Sequence, residues 1–336
     1  MLSNRKYARL LFFLIIALAL LFIAALCMGR YSMNPADVIG VLAAKLFGGA
    51  VDESMYVILF RIRLPRILAA ILIGAALSVS GAAYQSTFRN PLVSPDLLGV
   101  SSGASVGAAT AILLGASLQF TQIFAFAGGI LAVLLATSLP RLLRNSSNMV
   151  LVLSGIIVSG FMDAVIGIMK FFSREQDQLA SIVFWQMGSL SRVNTAQFLS
   201  IVPPILVCLI VMLILSWRLN ILSFGNQEAQ TVGINVSVLR GIAIVCASLL
   251  TACSVSISGK IGWIGLIIPH FGRLICGSDN TKLLPVVAVL GGAFLLAVDT
   301  LARCATSMEI PLSILSGLVG ALLFAWLLHR QRVKLI

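Results

Sequence analysis

The chain has 336 residues, 60% of them hydrophobic and only 10% charged, with a mean hydropathy of +1.07. Soluble domains carry charge on about a quarter of their residues, so this composition excludes one and defines a polytopic membrane protein. The formal charge of +12 comes from Lys and Arg near the ends of apolar runs. No basic patch with interleaved aromatics is present, which argues against nucleic acid as a partner.

The N-terminal stretch MLSNRKYARLLFFLIIALALLFIAALCMG imitates a signal peptide. Its apolar run of about 20 residues exceeds the usual 7 to 15, so it reads as a retained first span. Further along, apolar runs long enough to cross roughly 30 Å of hydrocarbon have cores near 10–28, 66–86, 96–114, 119–139, 149–170, 196–217, 237–257, 262–276, 283–302 and 311–328. They are unbroken rather than alternating, so they are helices, which satisfy their own backbone groups in lipid. The expected fold is an all-α polytopic membrane protein of about ten transmembrane helices.

An even count places both termini on one side, and the positive-inside rule makes that side cytoplasmic. Arg5, Lys6 and Arg9 precede the first span, Arg330, Arg332 and Lys334 follow the last, and Arg141 and Arg144 share their side. The opposite side holds Asp52, Glu53, Glu175, Asp177 and Glu309, together with Arg61, Arg63 and Arg66, which run against the rule. Two connecting segments are long. Residues 29–64 include a short helix capped by Asn34 ahead of Pro35. Residues 218–236 carry Gly225 and Gly233 bracketing one or two short helices.

A repeat is visible at an offset of 178 residues, where Ser78, Ser80, Gly81, Pro91 and Gly99 meet Ser256, Ser258, Gly259, Pro269 and Gly277. Five spans of offset invert the second copy relative to the first, the pattern of transporters with Gly/Pro-interrupted helices in each half. Spans 2–5 thus repeat as spans 7–10. The whole chain, 1–336, reads as one transmembrane domain: a first repeat over about 61–171, a cytoplasmic segment over about 218–236 and a second repeat over about 237–330.

Chemistry-bearing residues are few. His270 and His329 have no partners at a catalytic spacing, and neither HExxH nor a Walker-type phosphate loop is present. No catalytic residue, metal ligand or cofactor is assigned. The six cysteines lie in or beside apolar runs without a CxxC pair and read as packing residues. Asp163 is the clearest charge inside a span, where a carboxylate is costly unless it lines water or is paired. Two readings stand: it lines an aqueous path, or it hydrogen-bonds a neighbouring helix. Asp299 and Arg303 are one turn apart and are expected to pair.

RLPRILAAILIGAALSVSGAAYQSTFRNPLVSPDLLGVSSGAS, GKIGWIGLIIPHFGRLICGSDNTKLLP and DTLARCATSMEIPLSILSGLVGALLFAWLL closely resemble the FecCD/BtuC-like permeases. These are the membrane subunits of type II ABC importers for cobalamin, haem and ferric siderophores. The resemblance spans nearly the whole chain. It implies a homodimer in the bacterial inner membrane with the pathway at the dimer interface, two ATP-binding cassette subunits that hold ATP and magnesium, and a periplasmic binding protein.

Residue by residue, the resemblance implies that Arg63, Arg66 and Arg303 dock the binding protein; snorkelling to lipid headgroups is the alternative. The coupling helix falls on residues 219–236, where Gly225, Glu228, Ala229 and Gly233 keep the family outline while Asn226, Gln227 and Gln230 replace charges. A cytoplasmic gate falls on Asn90, Leu92, Ser147, Asn148 and Met149, and an outer constriction on Gln186, Met187, Gly188 and Ser189. The implied cargo is a metal chelate; a small oxyanion such as molybdate or tungstate in the same architecture is a second reading. An ion-coupled secondary transporter is a third, since inverted repeats and a buried carboxylate serve it as well.

Overall fold

The computed structural model describes residues 3–31, 33–48, 52–144, 147–173 and 176–332, so Glu175 and Lys334 lie outside the described residues. These residues form helices and connecting turns. In chain order they are α1 (Asn4–Cys27), α2 (Pro35–Phe47), α3 (Glu53–Tyr56), a π-helical segment Val57–Arg63, α4 (Leu64–Phe88), α5 (Val100–Leu113) and α6 (Leu118–Leu142). Then follow α7 (Asn148–Phe171), α8 (Gln176–Met187), α9 (Thr195–Phe224), α10 (Asn226–Thr231), α11 (Val236–Ser258), α12 (Ile264–Cys276), α13 (Asn280–Cys304) and α14 (Leu312–Arg332).

Among the described residues, seven helical stretches are long and apolar enough to cross a membrane, and three shorter apolar helices, Val100–Leu113, Ile264–Cys276 and Leu312–Leu327, complete the ten expected segments. Polar residues start them. Asn34 and Asp37 form a reciprocal capping box at α2, and Ser147, Asn194, Asn235 and Asp279 accept backbone N–H groups at the starts of α7, α9, α11 and α13. Each removes one of the orphan donors that a helix start would otherwise leave bare.

The repeat is plain in the helix lengths. α4 to α7 have 25, 14, 25 and 24 residues, and α11 to α14 have 23, 13, 25 and 21. Successive spans reverse direction, so α4, the second, and α11, the seventh, run oppositely. The register of 178 is corrected. The ends of α4 and α11, Phe88 and Ser258, are 170 positions apart, and the starts of α6 and α13, Leu118 and Asn280, are 162 apart. Small residues recur along these helices for packing, so a few of them coincide at a false offset. The connection 89–99 is also longer than its counterpart 259–263, which shifts the register within the repeat itself.

α4 is the central helix: the stretch Glu53–Phe88 is 83% buried over its most apolar window, against 11% for α1. It packs on α13 and α12 through bare backbone. A β-carbon at Gly74 would lie 2.1 Å from the Gly291 carbonyl oxygen, and one at Gly81 only 1.9 Å from that of Gly265. Helices in lipid gain little from the hydrophobic effect and associate by such close packing and by hydrogen bonds. Ser80 donates to the Ala247 carbonyl at 2.8 Å, and the Tyr84 hydroxyl lies 2.6 Å from Ser248 Oγ, tying α4 to α11.

The span expected to stop near residue 217 instead runs to Phe224, because Leu219 and Leu222 are buried against the bundle. What remains of the long polar segment is α10, a single six-residue helix.

Candidate functional site

Three arginines gather at the end of the bundle where α1 and α13 finish and α4 begins. Arg66 binds two carboxylates at once: Nε lies 3.0 and 3.1 Å from the two Asp299 oxygens, and Nη1 and Nη2 reach Glu309 at 2.9 and 3.0 Å. Arg63 donates to the carbonyls of Leu26, Cys27 and Tyr31, and Arg303 to that of Ala25. This corrects one expectation: Asp299 pairs with Arg66, not with Arg303 one turn away. Arg63, Arg66 and Arg303 are 4%, 6% and 5% exposed and, through these bonds, tie together the ends of α1, α4 and α13. The exposed cations of this end are Arg30, Lys45, Arg61 and Arg192; position in a loop did not separate them from the buried ones in the sequence.

The end of α8 lies at the same end and is stitched to the second repeat. The Leu312 N–H donates to the Gly188 carbonyl at 3.0 Å, the Ser189 N–H to that of Ser258 at 2.8 Å, and Ser313 Oγ to that of Met187 at 2.7 Å. Gly188 has φ +71°, and a β-carbon there would meet the Lys260 carbonyl at 2.6 Å. Gln186, Met187 and Ser189 are half-buried. Gly188 and Ser189 line a cavity of about 200 Å³ with Arg192, Gln197, Ser256 and Glu309.

At the opposite end, Asn90 Oδ1 accepts the Leu92 N–H at 2.9 Å, making a tight turn that leaves Leu92 62% exposed. Ser147 caps α7 and Met149 is exposed on its first turn, while Asn148 is half-buried. Also at this end, α10 is anchored by Ala229, which is fully buried, and presents Gln227, Glu228, Gln230 and Thr231 outward. Gly225 lies against the carboxylate of Glu228, and Gly233 turns the chain at φ +80° into α11.

Between the two ends, the broken segments of the repeats meet. Pro95 packs on Gly265, and Gln85 Nε2 donates to the Val93 carbonyl at 3.1 Å and the Leu266 carbonyl at 3.4 Å. Asp96 accepts the Ser101 N–H at 2.7 Å, at the start of α5, and faces Lys260 Nζ at 3.7 Å. This cross-repeat ion pair is a feature that the sequence reading missed. Its signal was present, as one carboxylate and one ammonium in the two Gly/Pro-rich breaks. Asp163 is exposed on α7.

Two inverted sets of four helices, broken at mid-depth and carrying charge at the break, define a helical membrane transport protein. Residues 16–330 match the FecCD transport family, and the chain belongs to it. It is 40% identical over 329 residues, 97% of each chain, to the molybdate import system permease protein MolB of Haemophilus influenzae. It is 43% identical to a probable iron chelatin transport system permease protein of Helicobacter pylori, over 83% of this chain and 85% of that one. The cobalamin import system permease protein BtuC of Halobacterium salinarum is 38% identical, over 89% and 80%. A solved ABC transporter, presented as of metal-chelate type and in an inward-facing conformation, superposes with a TM-score of 0.87 at 37% identity, covering 96% of this chain and 99% of that one.

Proposed function

We propose that the chain is the permease subunit of a binding-protein-dependent ABC importer that takes up a metal chelate. It works as a homodimer with two ATPase subunits in a bacterial inner membrane, both termini cytoplasmic. The observation that carries the reading is α10: six residues, anchored by buried Ala229 between α9 and α11, with an exposed polar face. A helix too short to be stable alone is held there as a rigid knob for another protein to grip. The exposed turn at Asn90–Leu92 and the start of α7 form the cytoplasmic gate at the same end.

At the periplasmic end, the exposed arginines, Arg61 foremost, meet acidic residues of the binding protein, while Arg63, Arg66 and Arg303 set the shape of that surface. The α8 end, Gln186 to Ser189, forms the outer constriction. ATP closes the ATPases, α10 of each copy follows them, and the dimer interface opens alternately to each side, with Asp163 lining the path.

The test is uptake into vesicles holding the chain and its ATPase, with loaded binding protein inside or outside. Uptake that requires ATP and external binding protein supports the reading. Uptake that needs no ATPase and collapses with the proton gradient overturns it in favour of a secondary transporter.

A molybdate cargo is the second reading, favoured by the near full-length similarity to a molybdate permease. Calorimetric titration of the binding protein with molybdate, haem, cobalamin and ferric siderophores separates the two.

A further inference from the structure

The mid-depth charges form one group. Leu97 and Leu98 pack on α7 at Gly155, and Gly99 packs on it at Ser159. Asp163 lies one turn beyond Ser159 on the same helix. Asp96 and Lys260 border a cavity of about 150 Å³ with Ser94, Ser101 and Thr251, and their side chains are 30% and 45% exposed.

Asp163 stands eight residues from the outer end of α7, about 12 Å at the helical rise, and so within the hydrocarbon depth. Its neighbours on the exposed face include Gly160, Ala164 and Gly167, with open space where β-carbons at the two glycines would lie, among exposed apolar side chains such as Ile156, Phe161 and Ile168. A carboxylate there is costly against lipid, which argues for water at Asp163 and the glycines beside it. Lys260 offsets Asp96, whereas Lys170, the cation on the same face of α7, stands seven residues or about 10 Å from Asp163, too far to pair with it. Two copies facing one path therefore bring two such charges into a cleft with low-dielectric walls, which focus the field.

We propose that Asp163 is a specificity-determining residue: it makes the pathway cation-preferring, so that neutral or cationic metal chelates pass and oxyanions carrying two negative charges are repelled. The inference rests on the reading that the α7 face lines the pathway, and its test measures the local potential directly, without reference to cargo.

The test uses the assembled transporter in vesicles, with exposed Cys304 and half-buried Cys27 replaced by serine; the other four cysteines are buried. Single cysteines are placed at Gly160→Cys and Ala164→Cys. Their modification rates by cationic and anionic methanethiosulfonate reagents are compared with those of a free thiol. The expected result is a preference for the cationic reagent of about tenfold over the free-thiol ratio, from the focused field, and its near disappearance in Asp163→Asn. No modification by either reagent, or a preference that Asp163→Asn leaves unchanged, overturns the proposal. ATP-dependent uptake by the same vesicles is scored separately. Intact uptake with a failed potential test removes the charge filter alone, and absent uptake strikes the importer reading.

Discussion

Arg66 and Asp299 are 233 residues apart in sequence and share three hydrogen bonds, from Nε to both carboxylate oxygens at 3.0 and 3.1 Å and from Nη2 to one of them at 2.9 Å. Asp299 is completely buried, and Glu309 closes the other side of the guanidinium. The pair joins the start of α4, the first helix of the first repeat, to the far end of α13, the third helix of the second, across an extensive contact. A planar fork satisfying two carboxylates is a geometry that Lys cannot copy.

Arg66→Gln strands the buried Asp299 charge and is expected to destabilise the fold by about 3–5 kcal/mol, the scale of a broken buried pair. Arg66→Lys recovers only part of that. Thermal unfolding of the purified protein in detergent measures both. Arg61→Glu, at an exposed position, is expected to leave the melting temperature unchanged and to abolish the stimulation of ATP hydrolysis by binding protein. If Arg61→Glu keeps that stimulation, the docking assignment to the exposed arginines fails.

The glycines of α4 and α7 predict opposite outcomes. Gly81→Val pushes a side chain into the Gly265 backbone, where even a β-carbon would stand 1.9 Å from the carbonyl oxygen. Overpacking of this kind costs about 1–3 kcal/mol or more, and size-exclusion profiles are expected to show aggregate. Gly167→Ala meets open space and, as a Gly to Ala change in a helix, is expected to preserve the monodisperse peak and raise helix stability slightly.

On α10, Glu228→Lys changes an exposed residue and Ala229→Leu a buried one. The first is expected to weaken co-purification of the ATPase subunit while sparing the fold. The second lifts the helix from its seat and is expected to lower both. Pull-down yield and melting temperature, read together, separate the two effects.

Asp279, at the cap of α13, predicts an acid limit. Burial works to raise its carboxyl, but hydrogen bonds from Thr281 and Asn220 and the charge of Lys282 outweigh it and leave the group below its usual value. A group lowered in the folded state stabilises it above the unfolded carboxylate value, about 3.9, and that contribution is lost as pH falls through the lower folded value. Melting temperature measured from pH 7 to pH 3 is expected to fall at the acid end. In Asp279→Asn this part of the slope disappears.

The span count, the two four-helix sets and the short helix between Gly225 and Gly233 were legible, because hydropathy and backbone punctuation are local signals. Asp163 was legible for the same reason, as a charge inside an apolar run. The ion pair of Asp96 with Lys260 was not, since nothing local says which residue 164 positions away it will meet. The burial of Arg63, Arg66 and Arg303 was hidden by the habit of assigning arginines near span ends to the surface; here carbonyls from the end of α1 and the carboxylates of Asp299 and Glu309 draw them inward. The true register of the repeat was masked because glycine and serine recur wherever two helices touch, so coincidences among them carry little information.

Glu53–Phe88 runs unbroken for 36 residues, through the π-helical turn at Val57–Arg63. At the helical rise this is about 54 Å, against roughly 30 Å of hydrocarbon. One continuous helical stretch therefore reaches from the rim where Arg66 meets Asp299 to the turn at Asn90. A wide turn near its top, of the kind that often marks functional positions, gives the stretch a swivel close to the surface where a partner would press. A small twist applied there arrives at Leu92 by leverage, with no intervening joint to absorb it.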